Sequence, residues 1–274
     1  MIESFAKLKV LVRGGGEMAT GIAWRLHQCH FKVLITEVPA PTAVRRTVAF
    51  AEAVYQGCQT VEGVRSVKIK NLSEVSELWE KREIPMLVDP EASVRSELKP
   101  DVIVDAIMAK KLSKTAISDA PLVIGVGPGF RTGIDVHAVV ESNRGYHLGR
   151  VIWNGSAEPY TGMPAAVGGH SEARVLRASR NGNFKAARKI GDMVQQLEVV
   201  GEVGGVAIMA QIPGVVRGML QDGVQVQVGM KVGDIDPRGE REYCYSISDK
   251  ARAIGGGVLE GILHVFGNLQ APAK

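Results

Sequence analysis

Charge of one sign, paired cysteines and long apolar runs are all scarce in this chain, and each scarcity removes a class of function. Lys and Arg number 33 against 29 Asp and Glu, a formal charge of +4 over 274 residues. The bases are scattered instead of gathered in a block. A balance this even predicts no nucleic-acid partner and at most a mild preference for small anions. Cys29, Cys58 and Cys244 stand far apart, with no Cys-x-x-Cys pair and no His/Cys spacing suited to zinc. Reduced thiols, and with them a cytoplasmic location, are the expectation. No stretch approaches the roughly 20 apolar residues of a membrane span. The opening MIESFAKLKVLVRGGG runs straight into a strand and lacks the pattern of a secretion signal. No membrane partner is expected.

What the chain does have is apolar material, 45% of its residues. That is ample for real cores, and the length predicts two domains. LKVLVRG reads as a buried strand that stops at glycine, and GGGEMATGIAWRLHQCH follows with helical spacing. FKVLITE is a second strand. Gly14-x-Gly16-x-x-Ala19 therefore sits between strand and helix, the setting in which such glycines let a pyrophosphate approach the free N–H groups of the helix. Gly14, Gly15, Gly16, Glu17, Met18 and Ala19 are the candidate cofactor-binding residues of this turn. Glu37 closes the second strand, where an acid would accept hydrogen bonds from ribose hydroxyls and repel a 2′-phosphate, favouring NAD over NADP. S-adenosylmethionine sites use similar residues and stay open as an alternative, as does a purely structural turn.

PMLVD, DVIVDA and PLVIGVG add further strands, and SEVSELWEKR a helix, which implies a parallel sheet. CQTVEGVRSVKIKN alternates like an inserted hairpin. Gly127, Pro128 and Gly129 end a strand and form a candidate phosphate nest, with a domain-exit turn as the bland alternative. The fold class expected is α/β: a Rossmann-like, doubly wound parallel sheet over residues 1–133, then a β-rich domain over 134–274 that ends in a helix.

In the second domain DVHAVVES-NRG-YHLGRVIW reads as two strands around a turn, with His137 in the first. Sliding the chain against itself by 32 positions superimposes Ala178 on Ala210, Gly182 on Gly214, Gly191 on Gly223, Val194 on Val226 and Gly201 on Gly233. Two copies of one β-unit follow, about 174–205 and 206–239. Their pattern resembles the halves of the barrel-sandwich hybrid found in biotinyl and lipoyl carriers. The linking hairpin GEVGGVA holds no lysine, so a swinging arm is not expected. GDIDPRG gathers Asp234, Asp236 and Arg238, suited either to acid–base work or to a structural Asp–Arg contact. Ser248 or Asp249 caps the last helix. Its Gly255, Gly256 and Gly257 each lose about 1 kcal/mol against alanine, which close backbone packing or a ligand would have to offset.

Taken together, GGGEMATGIAWRL, VIGVGPGF, DVHAVVESNRGYHLGRVI, VRGMLQDGVQVQVGMKVGDIDPRG and ISDKARAIGGGVLEGIL resemble the selenium-dependent molybdenum hydroxylase accessory (maturation) family over nearly the whole chain. The chain departs from that pattern near residues 160–172, where Tyr160 stands in place of a polar turn residue. The resemblance implies a maturation role for a selenium-dependent molybdenum hydroxylase client enzyme; the glycine turn of the first domain suits a dinucleotide, molybdopterin dinucleotide or NAD(H), on the same physics. The family supplies no catalytic residue. An NAD-dependent oxidoreductase using His137, Asp105 or Lys110 for proton transfer is the second reading. A non-catalytic, nucleotide-sensing protein is the third. Cys244 is the best-placed thiol for sulfur or selenium transfer, and a homo-oligomer is left open.

Overall fold

A computed structural model describes residues 5–108, 114–164 and 166–267. The chain divides into two compact units: Met1–Pro41, Phe50–Tyr160 and Ile247–Lys274 form one, Thr42–Ala49 and Thr161–Ser246 the other.

The first unit is built on a nine-stranded sheet. Its strands are β1 (Lys9–Arg13), β2 (Lys32–Glu37), β3 (Cys58–Val61), β4 (Val64–Ile69), β5 (Ile84–Val88), β6 (Val102–Asp105), β7 (Leu122–Val126), β8 (Ala138–Val140) and β9 (Val151–Ile152). They lie in the order β3-β4-β5-β2-β1-β6-β7-β8-β9. The seven strands from β4 to β8 run parallel, and only the rims, β3 on β4 and β9 on β8, are antiparallel. Central strands such as KVLVR and KVLIT are continuous apolar runs because both faces of the sheet are covered. Sheet growth reverses between β1 and β6, the switch point where α/β sheets open a crevice.

Among the described residues these helices accompany the sheet: α1 (Glu17–Gln28), α2 (Ala53–Gln56), α3 (Val75–Glu80), α4 (Arg95–Leu98) and α5 (Asp249–Phe266). Leu11, Leu34, Ile103, Val123 and Val139 form one core with Leu78 and Trp79 of α3. The neighbouring residues Ile124 and Val140 point the other way and meet Gly261 and Gly257 of α5. The sheet is thus covered on both faces, as a doubly wound arrangement requires.

Two expectations shift here. The hairpin from DVHAVVES to GRVIW belongs to the parallel sheet, since β8 pairs with β7 and β9 with β8. The terminal helix also returns to this unit and packs on α1. A division at 133/134 with the helix in the second domain therefore gives way to one at Tyr160/Thr161, with Ile247 onward in the first unit. The physical reason is non-local pairing, which local texture does not record.

The second unit carries β10 (Val175–Arg177), β11 (Gly182–Ala186), β12 (Met193–Val194), β13 (Val199–Val203), β14 (Val206–Met209), β15 (Gly214–Met219), β16 (Gln225–Val226) and β17 (Lys231–Asp236). A shift of 32 positions carries β10 to β13 onto β14 to β17 in turn. The sheets are β10-β17-β15-β12 and β14-β13-β11-β16, so each takes two strands from either copy. Neither copy closes a core alone; interlocked, they bury Phe184, Val200, Val216, Val232 and Ile235 between them. Gly182 and Gly214 open corresponding strands with φ of +151° and +153°. The N-terminal segment Thr42–Ala49 is part of this unit: Met219 N–H donates to Val44 O, and Arg46 donates to Met219 O and Gln221.

Candidate functional site

In a parallel sheet all carboxyl ends lie on one edge, and the glycine turns after β1 and β7 occupy that edge of the first unit. Gly14 leaves β1 with φ +93°, and its N–H donates to Thr36 O at 2.8 Å. A Cβ there would stand 3.2 Å from Ala106 O, so glycine is a structural need. Gly15 is locked as well. Its N–H donates to Glu37 Oε2 at 2.7 Å, and its carbonyl accepts from Ala51 N–H and the Thr20 hydroxyl. Gly16 differs. It N-caps the twelve-residue α1 with φ −65° and ψ −177°, gives the helix no side-chain cap, and a Cβ on it would meet nothing within 4 Å. Nothing within the described protein requires glycine at this position. Glu17 and Met18 line the first turn half-buried, and Ala19 is buried beneath it.

Glu37 takes a role that its position in sequence did not suggest. Its two carboxylate oxygens accept N–H bonds from Gly15 and from Val38, both at 2.7 Å. Burial pushes its pKa above the usual range, against the opposing pull of those two bonds. The carboxylate clamps the glycine turn, and each oxygen retains a second lone pair for a ribose hydroxyl.

At the end of β7 the nest reading is only half available. Gly127 N–H is spent on Val140 O at 2.8 Å, and a Cβ on Gly127 would strike Ser142 Oγ. Pro128 is half-buried, while Gly129, with φ +104°, is exposed with open space beside it.

Sequence reasoning missed two groups here, Arg13 and Lys250, and named Asp105 only as a candidate for proton transfer. Arg13 and Asp105, opposite one another on β1 and β6, form a buried ion pair at 3.2 Å. Thr115 donates to Asp105 Oδ2 and accepts from Arg13, and Ile107 N–H donates to Asp105 Oδ1. The second group is Lys250, in the first turn of α5. Burial, then the charge of Arg144, holds its pKa below the ordinary lysine value, while Glu17, Glu141 and Asp249 oppose that. The residue is half-buried. The packing of α5 sets these surroundings, and no local signal marks it.

The remaining candidates are structural. His137 Nδ1 accepts Val123 N–H at 3.0 Å, with its pKa lowered by burial. Lys110 lies outside the described residues. Asp234 and Asp236 are fully buried on β17, not on a turn, and are bound by Arg174, Arg217, Lys231 and Arg238. Acids spent this way are not free bases. Cys244 ends a 3₁₀ turn, is buried, and has its pKa pushed up by burial. A reactive thiol needs the opposite surroundings. Among the described residues no group of three His, Cys, Asp or Glu side chains is placed to hold a metal, and no helix is long and apolar enough to cross a membrane.

The chain is 48% identical over 254 residues to the uncharacterized protein YqeB of Escherichia coli (strain K12), an alignment covering 93% of this chain and 47% of that protein. It thus spans about half the length of the curated relative it matches. No protein-family model matches. Among solved structures, TcdA (CsdL) overlaps with a TM-score of 0.35 at 9% identity, covering 96% of this chain and 90% of that one. An aspartoacylase family protein from Mesorhizobium loti gives 0.25 at 11% identity, covering 84% and 85%.

Proposed function

We propose that the chain is an accessory protein that holds a dinucleotide in the crevice between β1 and β6 and hands it to, or checks it on, a molybdenum hydroxylase client. The observation that carries the binding reading is Gly16. With ordinary φ, no close neighbour and no cap to offer, it has no internal reason to be glycine, whereas a pyrophosphate laid across the start of α1 would supply one. Lys250 adds a poorly solvated cation beside the same helix start, and Glu37 offers its remaining lone pairs to a ribose. The client role rests on the resemblance in sequence. It accords with the second unit, whose β14 is a sheet edge bearing exposed Val206 and Met209 near exposed Leu197 and Val199. His137 and Asp105 are both engaged in structural hydrogen bonds, which favours binding over hydride-transfer catalysis.

The test is Gly16→Ser. The backbone angles at Gly16 suit an N-cap, so serine adds the missing cap and the melting temperature should hold or rise. Its side chain would also stand in the path of the pyrophosphate. Titration with NAD(H), NADP(H), S-adenosylmethionine and a molybdopterin dinucleotide should show one tight ligand for the native chain, weakened at least about tenfold in the variant. Equal affinity for the two proteins would remove the crevice from consideration. Preference for NAD(H) would reopen the oxidoreductase reading.

A further inference from the structure

A second concavity lies on the first unit, beside β9 and apart from the glycine turns. It is a cleft of about 360 Å³ whose lining includes Glu141, His147, Arg150, Trp153, Ser156 and Glu158. Its frame is rigidly specified. The Glu141 carboxylate, 1% exposed, accepts N–H bonds from Ser142, Asn143 and Glu158, each at 2.7 Å. One buried acid thereby fastens the segment after β8 to the segment after β9. Glu158 repeats the pattern nearer the surface, accepting from Asn143 Nδ2 at 2.5 Å and holding His147 Nδ1 at 3.0 Å.

The acids of the cleft are thus already engaged, whereas three of its donors are not. Among the described residues the Arg150 guanidinium, the Trp153 indole N–H and the Ser156 hydroxyl have no hydrogen-bond or ion-pair partner within the protein. Trp153 is also braced. Its ring lies 4.7 Å from the His264 ring of α5, tilted by 36°, and the indole remains 39% exposed. A braced, part-open indole is a platform for another flat ring, and a guanidinium that the cleft's hydrogen-bonded carboxylates leave unpaired is the group to receive an oxyanion.

We propose that this cleft is a binding site for a small planar aromatic molecule bearing a carboxylate or phosphate, with the ring against Trp153 and the oxyanion at Arg150. The chain has three tryptophans, Trp24, Trp79 and Trp153. Their indole N–H resonances can be followed separately, with Trp153→Phe identifying the third. Titration with 2-naphthoate and 2-naphthyl phosphate should move the Trp153 resonance saturably for at least one of them. Cyclohexanecarboxylate, which lacks the flat ring, and 2-naphthylmethanol, which lacks the acid, should bind about tenfold more weakly or worse. Arg150→Gln, at an exposed position that should leave folding intact, should weaken the naphthyl acid about tenfold and leave 2-naphthylmethanol unchanged. Gly16→Ser should change none of these values, which keeps this test separate from that of the crevice. A response linear up to about 10 mM for both naphthyl acids, or equal binding by Arg150→Gln, would overturn the proposal.

Discussion

Glu37 shows how one side chain can look like a ligand group and hold a scaffold together. Its carboxylate satisfies the N–H of Gly15, a buried residue. Glu37→Ala should therefore cost about 1–3 kcal/mol, the usual cost of leaving a buried donor unmet. Glu37→Gln keeps an acceptor and should melt within a few degrees of the native chain. If the alanine variant melts normally, the clamp is not needed. Asp236 makes a residue-scale prediction about pH. Burial raises its pKa, but the Arg238 hydrogen bonds and the charges of Arg217 and Arg238 outweigh that and leave it below the usual value. A depressed carboxyl pKa contributes stability that is fully present above the unfolded value, about 3.9, and is lost as pH falls through the folded value. The denaturation midpoint of the second unit should accordingly drop steeply below about pH 4. Asp236→Asn should flatten that dependence at a lower overall midpoint, and an unchanged slope would assign the acid lability elsewhere.

At the scale of an element, the glycine run in α5 separates into three different positions. A Cβ on Gly255 would lie 2.8 Å from Gly21 O of α1, and one on Gly257 would collide with Gly149 O. Gly21 answers from the other side, where a Cβ would lie 2.7 Å from Ala251 O. The two helices approach backbone to backbone, and the packing gained offsets the conformational cost of glycine in a helix. Gly256 faces open space. Gly256→Ala should therefore stabilise the protein by roughly 0.5–1 kcal/mol, whereas Gly255→Ala or Gly257→Ala should destabilise it by about 1–3 kcal/mol. Chemical denaturation of the three variants checks this, and a common sign for all three would refute the close-approach account. The sequence posed the question correctly, since glycines inside a helical pattern demand compensation. It could not say which of the three were compensated, because that depends on segments distant along the chain, α1 for Gly255 and the stretch around Gly149 for Gly257.

For the whole molecule, the consequence is a chain whose units are both discontinuous. Ending it at Ser246 removes α5 and uncovers the side of α1 that carries Gly21, buried in the intact chain, and Arg25, whose guanidinium donates to Arg252 O. Such a truncation should lose the cooperative unfolding of the first unit while the interlocked barrel still melts as one transition, which calorimetry would resolve. Survival of both transitions would contradict the assignment of α5. Much of this architecture was legible beforehand. The strand-glycine-helix opening, the order of strands through β7, the hairpin of β3 and β4, and the doubled β-unit all follow from local periodicity, turn residues and internal repetition. The placement of β8, β9, α5 and Thr42–Ala49 was not, because each is decided by what it packs against.

The sequence by itself determined the elements and their likeness to one another, since hydrophobic period, helix caps and glycine turns act over a few residues. It also determined the barrel's symmetry, because two similar β-units that cannot close alone must interlock. Only the tertiary structure decided which glycines are needed by the fold and which, like Gly16, are left for something else. It alone decided that Glu37 clamps a turn, that Asp234, Asp236 and Cys244 are sealed in, and that Lys250 and the Trp153 cleft stand where chemistry could use them. The reason is the same in every case. A side chain's availability is set by the partners that non-local packing gives it, and those partners lie far away along the chain.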